Sequence, residues 1–319
     1  MGIRHAAGLL CISSLALTLV LSAQTTPKPA PTPAPAPGPA VKTFDTAQKA
    51  GDALVAAAAA FDVAAIEALF GPTGHELVVT GDAVQDKGRL DEFSARARER
   101  TKVVVSSTNA NRAILFVGSN DWPMPVPIVR KNGRWSFDAA AGRIEILNRR
   151  VGSNELDAIE LCRGFVEAQH EYALTKHDGA EVNQYAQRII ATPGKQDGLA
   201  WKNPDGTWGG PVGEGVASAI AEGYSEKTEP YHGYFYKVLK GQGPAAPLGQ
   251  MDFLIKGVMI GGFALVAAPA EYAVTGVKTF MVSHDGIVYE KDFGAESLTN
   301  FKTMELFNPD KTWTPVVSR

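Results

Sequence analysis

The sequence predicts an α+β protein whose helices and antiparallel strands occupy separate stretches of the chain. Residues 44–70 carry apolar side chains at helical spacing, and short apolar runs bounded by turn residues follow between residues 102 and 137. Two dipeptides typical of β-hairpin turns, Asn132-Gly133 and Asp285-Gly286, lie between such runs. A chain of 319 residues with 45% hydrophobic residues is long enough for two domains with apolar cores.

The first domain is predicted over residues 43–150. Its Ala-rich start is expected to form two helices, with Asp62 as the cap between them. A strand at Glu76–Val79 and a helix at Leu90–Arg100 follow, and then come strands at Lys102–Ser107, Ala113–Val117, Pro125–Lys131 and Arg134–Phe137. This order resembles the nuclear-transport-factor-2-like, cystatin-like folds, in which a curved sheet wraps a helix. The resemblance implies a cone that serves as an enzyme, a ligand pocket or an interaction module.

The second domain is predicted over residues 151–319. Ser153 or Asn154 is expected to cap a helix whose apolar stripe comprises Leu156, Ile159, Cys162, Val166, Gln169 and Ala173. A Gly/Pro-rich loop at 192–211 and a short helix at Val216–Ala221 come next. Strands are then predicted at Gly233–Leu239, Gly262–Ala267, Gly276–Ser283 and Gly286–Lys291.

Residues 1–23 are predicted to be a secretory signal peptide. Arg4 and His5 precede the apolar stretch 6–21, and Ser22-Ala23 supplies small residues before the expected cleavage point. An uncleaved membrane anchor is the alternative, although the stretch is slightly shorter than the roughly 18–20 apolar residues of a span. We therefore expect an exported protein, periplasmic or extracellular, that touches a membrane only through an uncleaved signal.

Residues 24–42 alternate Pro with Ala and are predicted to form a disordered tether with polyproline II character. Such a segment buries no core, so it serves either as a spacer through the envelope or as an N-terminal tail without a duty.

Cysteine usage and charge exclude several classes of function. Cleavage of the signal removes Cys11 and leaves Cys162, so no internal disulfide is expected. Cys162 falls on the apolar helix stripe, which favours a core residue over a reactive thiol. The formal net charge is −3 and no Lys/Arg run is present, which argues against nucleic acid as a partner.

Sequence motifs of the common hydrolases and nucleotide enzymes are missing. The chain has no G-x-S-x-G elbow, no phosphate-binding loop and no C-x-x-C pair. His170-Glu171 begins a zinc-protease motif, but Leu174 stands where the second histidine belongs. Glu167, His170 and His177 have a spacing that suits a metal on a helix, yet such a set without a partner motif is usually a solvated helix face. No metal and no cofactor are expected.

The candidate site is the aromatic run at residues 231–236 together with Glu271-Tyr272. Its side chains could line a sugar or peptide pocket, with a wall from the preceding loop that includes Lys195 and Asp197. The candidate ligand-binding residues are Tyr231, His232, Tyr234, Tyr236, Tyr272, Trp201 and Trp208. The alternative is a strand whose alternate aromatic rings pack on the long helix, with His232 satisfied by a backbone carbonyl. His232 and Glu271 are also the candidate acid–base pair of a hydrolase.

Several motifs are similar to those of a bacterial domain-of-unknown-function family, number 2950. They cover essentially all of the chain after the tether, and the resemblance implies no activity and no functional residues. The motifs are Asn154-Glu155-Leu156, Glu167-Ala168-Gln169, Ala191–Leu199, Pro230–Tyr234, Gly261–Leu265, Pro269–Tyr272, Val274–Gly276 and Asp285–Asp292.

The second half also resembles the globular domains of type IV pilins and pseudopilins. The likeness rests on the helix from Asn154, the aromatic strand near Tyr234, and Ala267-Ala268-Pro269 with Thr275-Gly276 before Phe280-Met281-Val282. It implies a long helix packed on an antiparallel sheet. This chain places another domain before the pilin-like part, which argues against assembly into a filament by the usual route.

Three hypotheses for the function follow. The first is a non-catalytic envelope protein that binds or assembles through the pilin-like domain, with an envelope protein, a peptide or a glycan as partner. The second is an envelope hydrolase that uses His232 and Glu271. The third is a subunit associated with a pilus or a secretion system.

Overall fold

The computed structural model of the chain describes residues 41–72, 74–78, 83–213 and 230–317, which belong to one compact unit spanning residues 39–319. The predicted signal peptide, the predicted tether up to residue 40 and the predicted short helix at Val216–Ala221 lie outside the described residues. The described part is a mixed α+β structure with antiparallel sheets, as the sequence predicts.

Two Ala-rich helices open the described chain, and Asp62 caps the second as the sequence predicts. Helix α1 spans Ala47–Ala59, and Thr46 accepts a hydrogen bond from the backbone N–H of Lys49. Helix α2 spans Val63–Phe70, and Asp62 accepts from the backbone N–H of Ala65 at 2.9 Å. A side-chain oxygen at this position satisfies an N–H that has no partner inside the helix.

The strand predicted at Glu76–Val79 is wrong, because residues His75–Val78 form a one-turn helix, α3. The N–H of Leu77 bonds to the carbonyl of Gly74, and His75 Nδ1 lies 2.6 Å from a carboxylate oxygen of Glu67. A run of only four residues gives no period that separates a strand from a helical turn, so local contacts decide. Helix α4, Ala83–Glu99, extends the helix predicted at Leu90–Arg100 and carries the ion pairs Lys87–Asp91 and Glu92–Arg96 on its surface.

The first antiparallel sheet follows α4. Its strands are β1 Thr101–Val105, β2 Arg112–Val117, β3 Trp122–Pro123, β4 Ile128–Lys131 and β5 Arg134–Phe137. They pair in the order β1-β2-β4-β5, and β3 pairs with β2. The hairpin between β4 and β5 turns at Asn132 and Gly133, whose φ angles of 52° and 78° confirm the predicted Asn-Gly turn.

Helices α1, α2 and α4 pack on this sheet and enclose the first apolar cluster. Phe70 of α2 meets Phe137 of β5 edge to face, with ring centres 5.3 Å apart. The fully buried members of the cluster include Ala50, Ala58, Ala113, Leu115, Val117 and Ile128.

A single 34-residue helix, α5, spans Ala139–Tyr172. It begins at Asp138, whose carboxylate accepts from the N–H of Ala141 at 3.0 Å. The predicted helix start at Ser153 or Asn154 is therefore wrong, since both residues lie within the helix. Good helix formers flank Gly152-Ser153-Asn154 on both sides, and one glycine weakens a helix by only about 1 kcal/mol. Helix α5 runs across the predicted boundary between residues 150 and 151. The division of the chain into two domains at this boundary stays a prediction.

The largest sheet of the second half is antiparallel, with strands in the order β17-β16-β15-β14-β9. Their bounds are β9 Tyr234–Leu239, β14 Ala264–Pro269, β15 Thr279–Ser283, β16 Val288–Lys291 and β17 Thr314–Pro315. Every residue of β14 and β15 is buried, because α5 and the short helix α6, Ser297–Thr303, both pack against the sheet. The strands predicted in this half are confirmed.

Shorter elements connect these layers. Strands β6 Arg188–Ile190 and β7 Gly198–Lys202 pair in parallel, and β8 Trp208–Gly209 pairs antiparallel with β7. Two small hairpins join β10 Gly241–Gln242 to β11 Met251–Asp252, and β12 Leu254–Ile255 to β13 Val258–Met259. A 3₁₀ turn at Gly294–Glu296 leads into α6.

The buried stripe of α5 differs at one end from the predicted one. Cys162, Val166 and Gln169 are buried as predicted, but Leu156 is 66% exposed. The second apolar cluster covers α5 only from Ala158 onward, so Leu156 lies just before the covered part. Among the described residues, we find no helix that is both long enough and apolar enough to span a membrane.

Two glycines of α5 test whether the helix is continuous. A Cβ at Gly152 would meet no atom within 4 Å, whereas a Cβ at Gly142 would stand 2.7 Å from a methyl carbon of Val126 and 3.1 Å from its backbone. We expect Gly152→Ala to raise the free energy of unfolding by about 0.5–1 kcal/mol, because alanine restricts the unfolded chain and favours helix. Gly142→Ala should lower it, as measured by urea denaturation. If the helix were broken at residue 152, Gly152→Ala would not raise the free energy of unfolding.

Candidate functional site

The candidate site begins at a two-residue turn between Tyr231 and Tyr234. The backbone N–H of each tyrosine donates to the carbonyl of the other, at 3.1 and 3.0 Å. His232 and Gly233 occupy the centre of the turn with φ angles of 48° and 75°. Such turns favour Asn-Gly, since both central residues need a positive φ. Histidine, like asparagine and aspartate, is one of the non-glycine residues enriched at positive φ, so the turn tolerates it.

The side chain of His232 contacts helix α5. Its Nδ1 lies 2.5 Å from Oδ2 of Asp157, and both side chains are partly exposed. When the neutral ring carries its proton on Nδ1 and donates it to this carboxylate, Nε2 is left with a lone pair. In that tautomer Asp157 orients the ring, and Nε2 is the nitrogen that accepts a hydrogen bond.

Three hydrogen bonds tie α5 to the segment before β15. Asn154 donates from its amide to the carbonyl of Thr275 at 2.8 Å. One carboxylate oxygen of Glu155 accepts from the N–H groups of Val277 and Lys278, at 2.8 and 3.0 Å. These contacts join residues more than 120 positions apart and fix the helix beside the turn.

Two glycines allow this close approach. A Cβ at Gly233 would stand 2.5 Å from the amide nitrogen of Asn154, and one at Gly276 would stand 2.2 Å from the phenolic oxygen of Tyr234. Tyr234 itself is fully buried and donates to the carbonyl of Lys278 at 2.8 Å. At both positions there is therefore no space for a Cβ atom, so only glycine fits.

A cavity of about 360 Å³ opens beside the His232–Asp157 pair. This volume is at the lower end of the range typical of small-molecule sites. Helix α5 supplies one wall, and the other walls come from β6, β7, β9, β14 and the segments on either side. The lining residues are Asp157, Glu160, Leu161, Gly164, Phe165, Ala168, Ile189, Leu199, Pro211, Val212, Gly213, Tyr231, His232, Tyr236 and Leu265.

The ionisable lining is acidic apart from one imidazole and two phenols. Asp157 and Glu160 contribute carboxylates, and no Lys or Arg belongs to the described lining. Burial raises the pKa of the Tyr236 phenol above its ordinary value, so this side chain remains protonated at neutral pH. The cavity thus combines an apolar interior with a carboxylate edge.

The structure brings together three of the sequence-predicted ligand-binding residues. Tyr231, His232 and Tyr236 line the cavity, and the rings of Tyr231 and His232 lie 4.4 Å apart. Tyr234 is a core residue whose ring packs 5.9 Å from that of Phe280.

The remaining predicted residues lie outside the described lining. Trp201 donates from its indole to Asn203, and Trp208 has the ammonium of Lys202 4.9 Å from its ring centre. Tyr272 forms an isolated bridge with Gly276.

The predicted acid–base partner Glu271 is an exposed residue of the turn after β14. Its N–H bonds to the hydroxyl of Thr275 at 3.0 Å. The pairing of Glu271 with His232 stays a prediction. Asp157, 75 residues earlier in the chain, is the carboxylate that contacts His232 in the structure. Sequence reasoning missed it and Glu160, although their i, i+3 spacing on a helix is a signal that they share a face.

The loop that carries Lys195 and Asp197 is closed by its own hydrogen bonds. Both carboxylate oxygens of Asp197 accept from Thr192, one from its N–H at 2.7 Å and one from its hydroxyl at 2.8 Å. Partial burial raises the pKa of Asp197, but these bonds and the nearby Arg188 outweigh it and hold the pKa below the usual range. Asp197 therefore stabilises the loop conformation. Lys195 is exposed.

Potential metal-ligating side chains are not clustered in the described part of the chain, and its free cysteine is buried. Nowhere in the described ranges do three or more His, Cys, Asp or Glu side chains gather where they could share a metal ion. Cys162 is fully buried between α5 and the sheet, and burial raises the pKa of its thiol to about 12. This confirms Cys162 as a core residue.

The burial of Cys162 predicts a slow reaction with alkylating reagents. We expect iodoacetamide at about pH 8 to modify Cys162 at least 100-fold more slowly in the native chain than in urea, because the thiolate is the reactive form. A chain that begins at Gln24 leaves Cys162 as its remaining cysteine. Mass spectrometry measures the rate, and equal rates in the two solvents would show that the α5 stripe is accessible.

A family model described as Protein of unknown function (DUF2950) matches residues 41–316. The match spans nearly the whole described chain and confirms the resemblance inferred from the motifs. In the comparisons with curated proteins and with solved structures, nothing matches the chain.

Proposed function

Because the chain belongs to the family described as Protein of unknown function (DUF2950), whose description names no activity, we propose a function from the site itself. The protein is an exported envelope protein that binds, without catalysis, a small ligand with an apolar part and a protonated amine. The observation that carries this proposal is the cavity beside His232 and Asp157, with its apolar interior and its acidic edge. The Pro/Ala-rich tether would display this binding module away from the signal segment.

The proposal includes the finer fold comparisons. The packing of α5 on an antiparallel sheet supports a pilin-like second half, and the packing of α1, α2 and α4 on the first sheet supports a cystatin-like first half. Both kinds of domain serve in recognition as well as in catalysis, so the ligand has to be argued from the site.

The apolar part of the ligand is argued from the interior of the cavity. Phe165, Ile189, Leu199 and Leu265 are all buried, and each presents hydrocarbon to the space. Burial of apolar surface there is favourable by about 25 cal/mol per Å². A free sugar offers mainly hydroxyl groups to such a surface, whereas a peptide offers an apolar side chain.

The protonated amine is argued from the edge of the cavity. Asp157 and Glu160 are about one helical turn apart. Asp157 contacts the imidazole of His232, and the described lining holds no Lys or Arg. Carboxylates attract a cation and repel an anion, and a hydrogen bond between charged partners is stronger than one between neutral partners. The amino terminus of a short peptide supplies both the charge and three N–H donors.

Short peptides with a free amino terminus test the proposal. We expect Leu-Gly-Gly and Phe-Gly-Gly to bind the purified chain in calorimetric titrations, and their acetylated forms to bind at least tenfold more weakly because the charge is lost. Glu160→Gln should weaken the binding of the free peptides by about three- to tenfold, as expected for a partly exposed charged contact.

Glu167→Gln is the matched control. Glu167 lies seven residues further along α5, is exposed and does not line the cavity, so its neutralisation should leave the affinity unchanged. Equal losses in both variants would point to the net charge of the protein instead of the cavity. If neutral oligosaccharides bind more tightly than the peptides, the proposed ligand is wrong and the ligand is a glycan.

A second candidate function, an envelope hydrolase, is favoured by one observation. The contact of His232 Nδ1 with Asp157 is the arrangement in which a carboxylate orients an imidazole that acts as a general base through Nε2. The sequence-based version of this hypothesis pairs His232 with Glu271 as acid and base. In either version the imidazole is the group that moves a proton.

Replacing His232 by Asn separates binding from hydrolysis. Asn-Gly is the preferred pair for this turn, so His232→Asn should keep the midpoint of thermal unfolding within a few degrees while it removes the imidazole. If the protein only binds, leucine p-nitroanilide is not turned over by either form. If the protein is a hydrolase, the wild-type chain releases p-nitroaniline and His232→Asn lowers the rate by about 100-fold or more.

A further inference from the structure

A second cavity, of about 340 Å³, lies in the first half of the chain. It is bounded by α1, α2, α3, α4, the segment from Trp122 to Val126, and one residue of α5. Among the described lining residues, none belongs to both cavities. This space is therefore independent of the site beside His232.

The depth of the second cavity is apolar. Leu54, Ala58, Ile66 and Phe70 line it from α1 and α2, and all four are buried members of the first apolar cluster. Protein interiors are normally packed closely, and an apolar space of this size loses the contacts that a filled core would make. An apolar molecule that enters restores those contacts and leaves no polar group of its own unpaired.

The mouth of the second cavity is charged but balanced. Its ionisable residues Asp86, Arg89, Glu92 and Arg96 all lie on α4 and comprise two carboxylates and two guanidinium groups. Glu92 and Arg96 are paired at 2.6 Å. A balanced mouth selects neither an anion nor a cation, in contrast to the acidic edge of the first cavity.

The wall of the second cavity that contains Trp122 is held in place by two arginine side chains. The Trp122 ring has the guanidinium carbons of Arg96 and Arg149 at 5.7 and 5.4 Å from its centre. Arg149 also bonds to the carbonyl of Pro123 at 2.8 Å and to Glu145 at 2.8 Å. A wall fixed before binding loses little freedom when a ligand arrives.

We propose that this second cavity is a binding site for a small, uncharged, mainly apolar molecule. The molecule would place its hydrocarbon or aromatic part between α1, α2 and Val126, and any polar atom at the α4 mouth. The proposal is independent of the function proposed for the first cavity.

The uncharged fluorescent probe N-phenyl-1-naphthylamine tests the proposal on the full chain. We expect a saturable rise of fluorescence with one probe per chain, and an affinity at least tenfold higher than that of the anionic analogue 1-anilinonaphthalene-8-sulfonate. Ile146 lines the mouth from α5, and Ile146→Trp should raise the dissociation constant at least tenfold. Ile144→Trp is the matched control, because Ile144 is exposed on the same helix and does not line the cavity.

Hydrogen exchange of the wild-type chain locates the probe without any variant. Bound probe should slow amide exchange in residues 83–99 and 47–59 and leave residues 157–168 unchanged. Protection of residues 157–168 instead, equal effects of Ile144→Trp and Ile146→Trp, or the absence of saturable binding would each overturn the proposal. Glu160→Gln should not alter the affinity for this probe. Failure of the second-cavity proposal is therefore distinguishable from failure of the peptide proposal.

Discussion

The two hydrogen bonds that Glu155 accepts from Val277 and Lys278 are the constraint on which the candidate site depends. They hold one turn of α5 against the segment that leads into β15, and Asn154 reinforces them from the adjacent position. Asp157 follows on the next half turn, so this anchor helps to position it beside His232. The turn at Tyr231–Tyr234 packs on the same place through Gly233 and through the phenol of Tyr234. The walls of the first cavity are thus assembled by contacts between parts of the chain that are far apart in sequence.

Helix α5 serves both halves of the described chain. Near its start it buries Gly142 against Val126 in the first apolar cluster, and from Ala158 onward it buries a stripe in the second. Between these parts the helix is mostly solvated, and there Ile144 and Leu156 are exposed. The same helix contributes Ile146 to one cavity and Asp157 and Glu160 to the other. A continuous helix transmits orientation over its length, because each backbone hydrogen bond fixes the next turn.

Much of the fold could be predicted from local sequence, and the failures have physical causes. Asp62 and Asn132-Gly133 act through atoms within a few residues, so the cap and the hairpin were predictable. The start of α5 was not, because Gly152 resembles a boundary and the decisive cap, Asp138, lies fourteen residues earlier. The exposure of Leu156 depends on where the sheet ends, which no helical period reveals. In the site, the aromatic run and His232 stood out by composition, whereas Asp157 acquires its role only through a contact across 75 residues.

The contact of His232 with Asp157 on the lining of the first cavity is the strongest argument for the role proposed for that cavity. A two-residue turn with both φ angles positive is served best by Asn-Gly, and the chain uses that pair at Asn132-Gly133. At residues 232–233 a similar turn carries histidine, which is also one of the residues enriched at positive φ. The contact with Asp157 is partly exposed and is therefore a weak source of stability. The turn tolerates the imidazole and the ion pair adds little stability, so neither of them requires histidine at this position. The place of His232 on the lining of the cavity, with Asp157, Glu160 and Tyr231, supports the binding role proposed above.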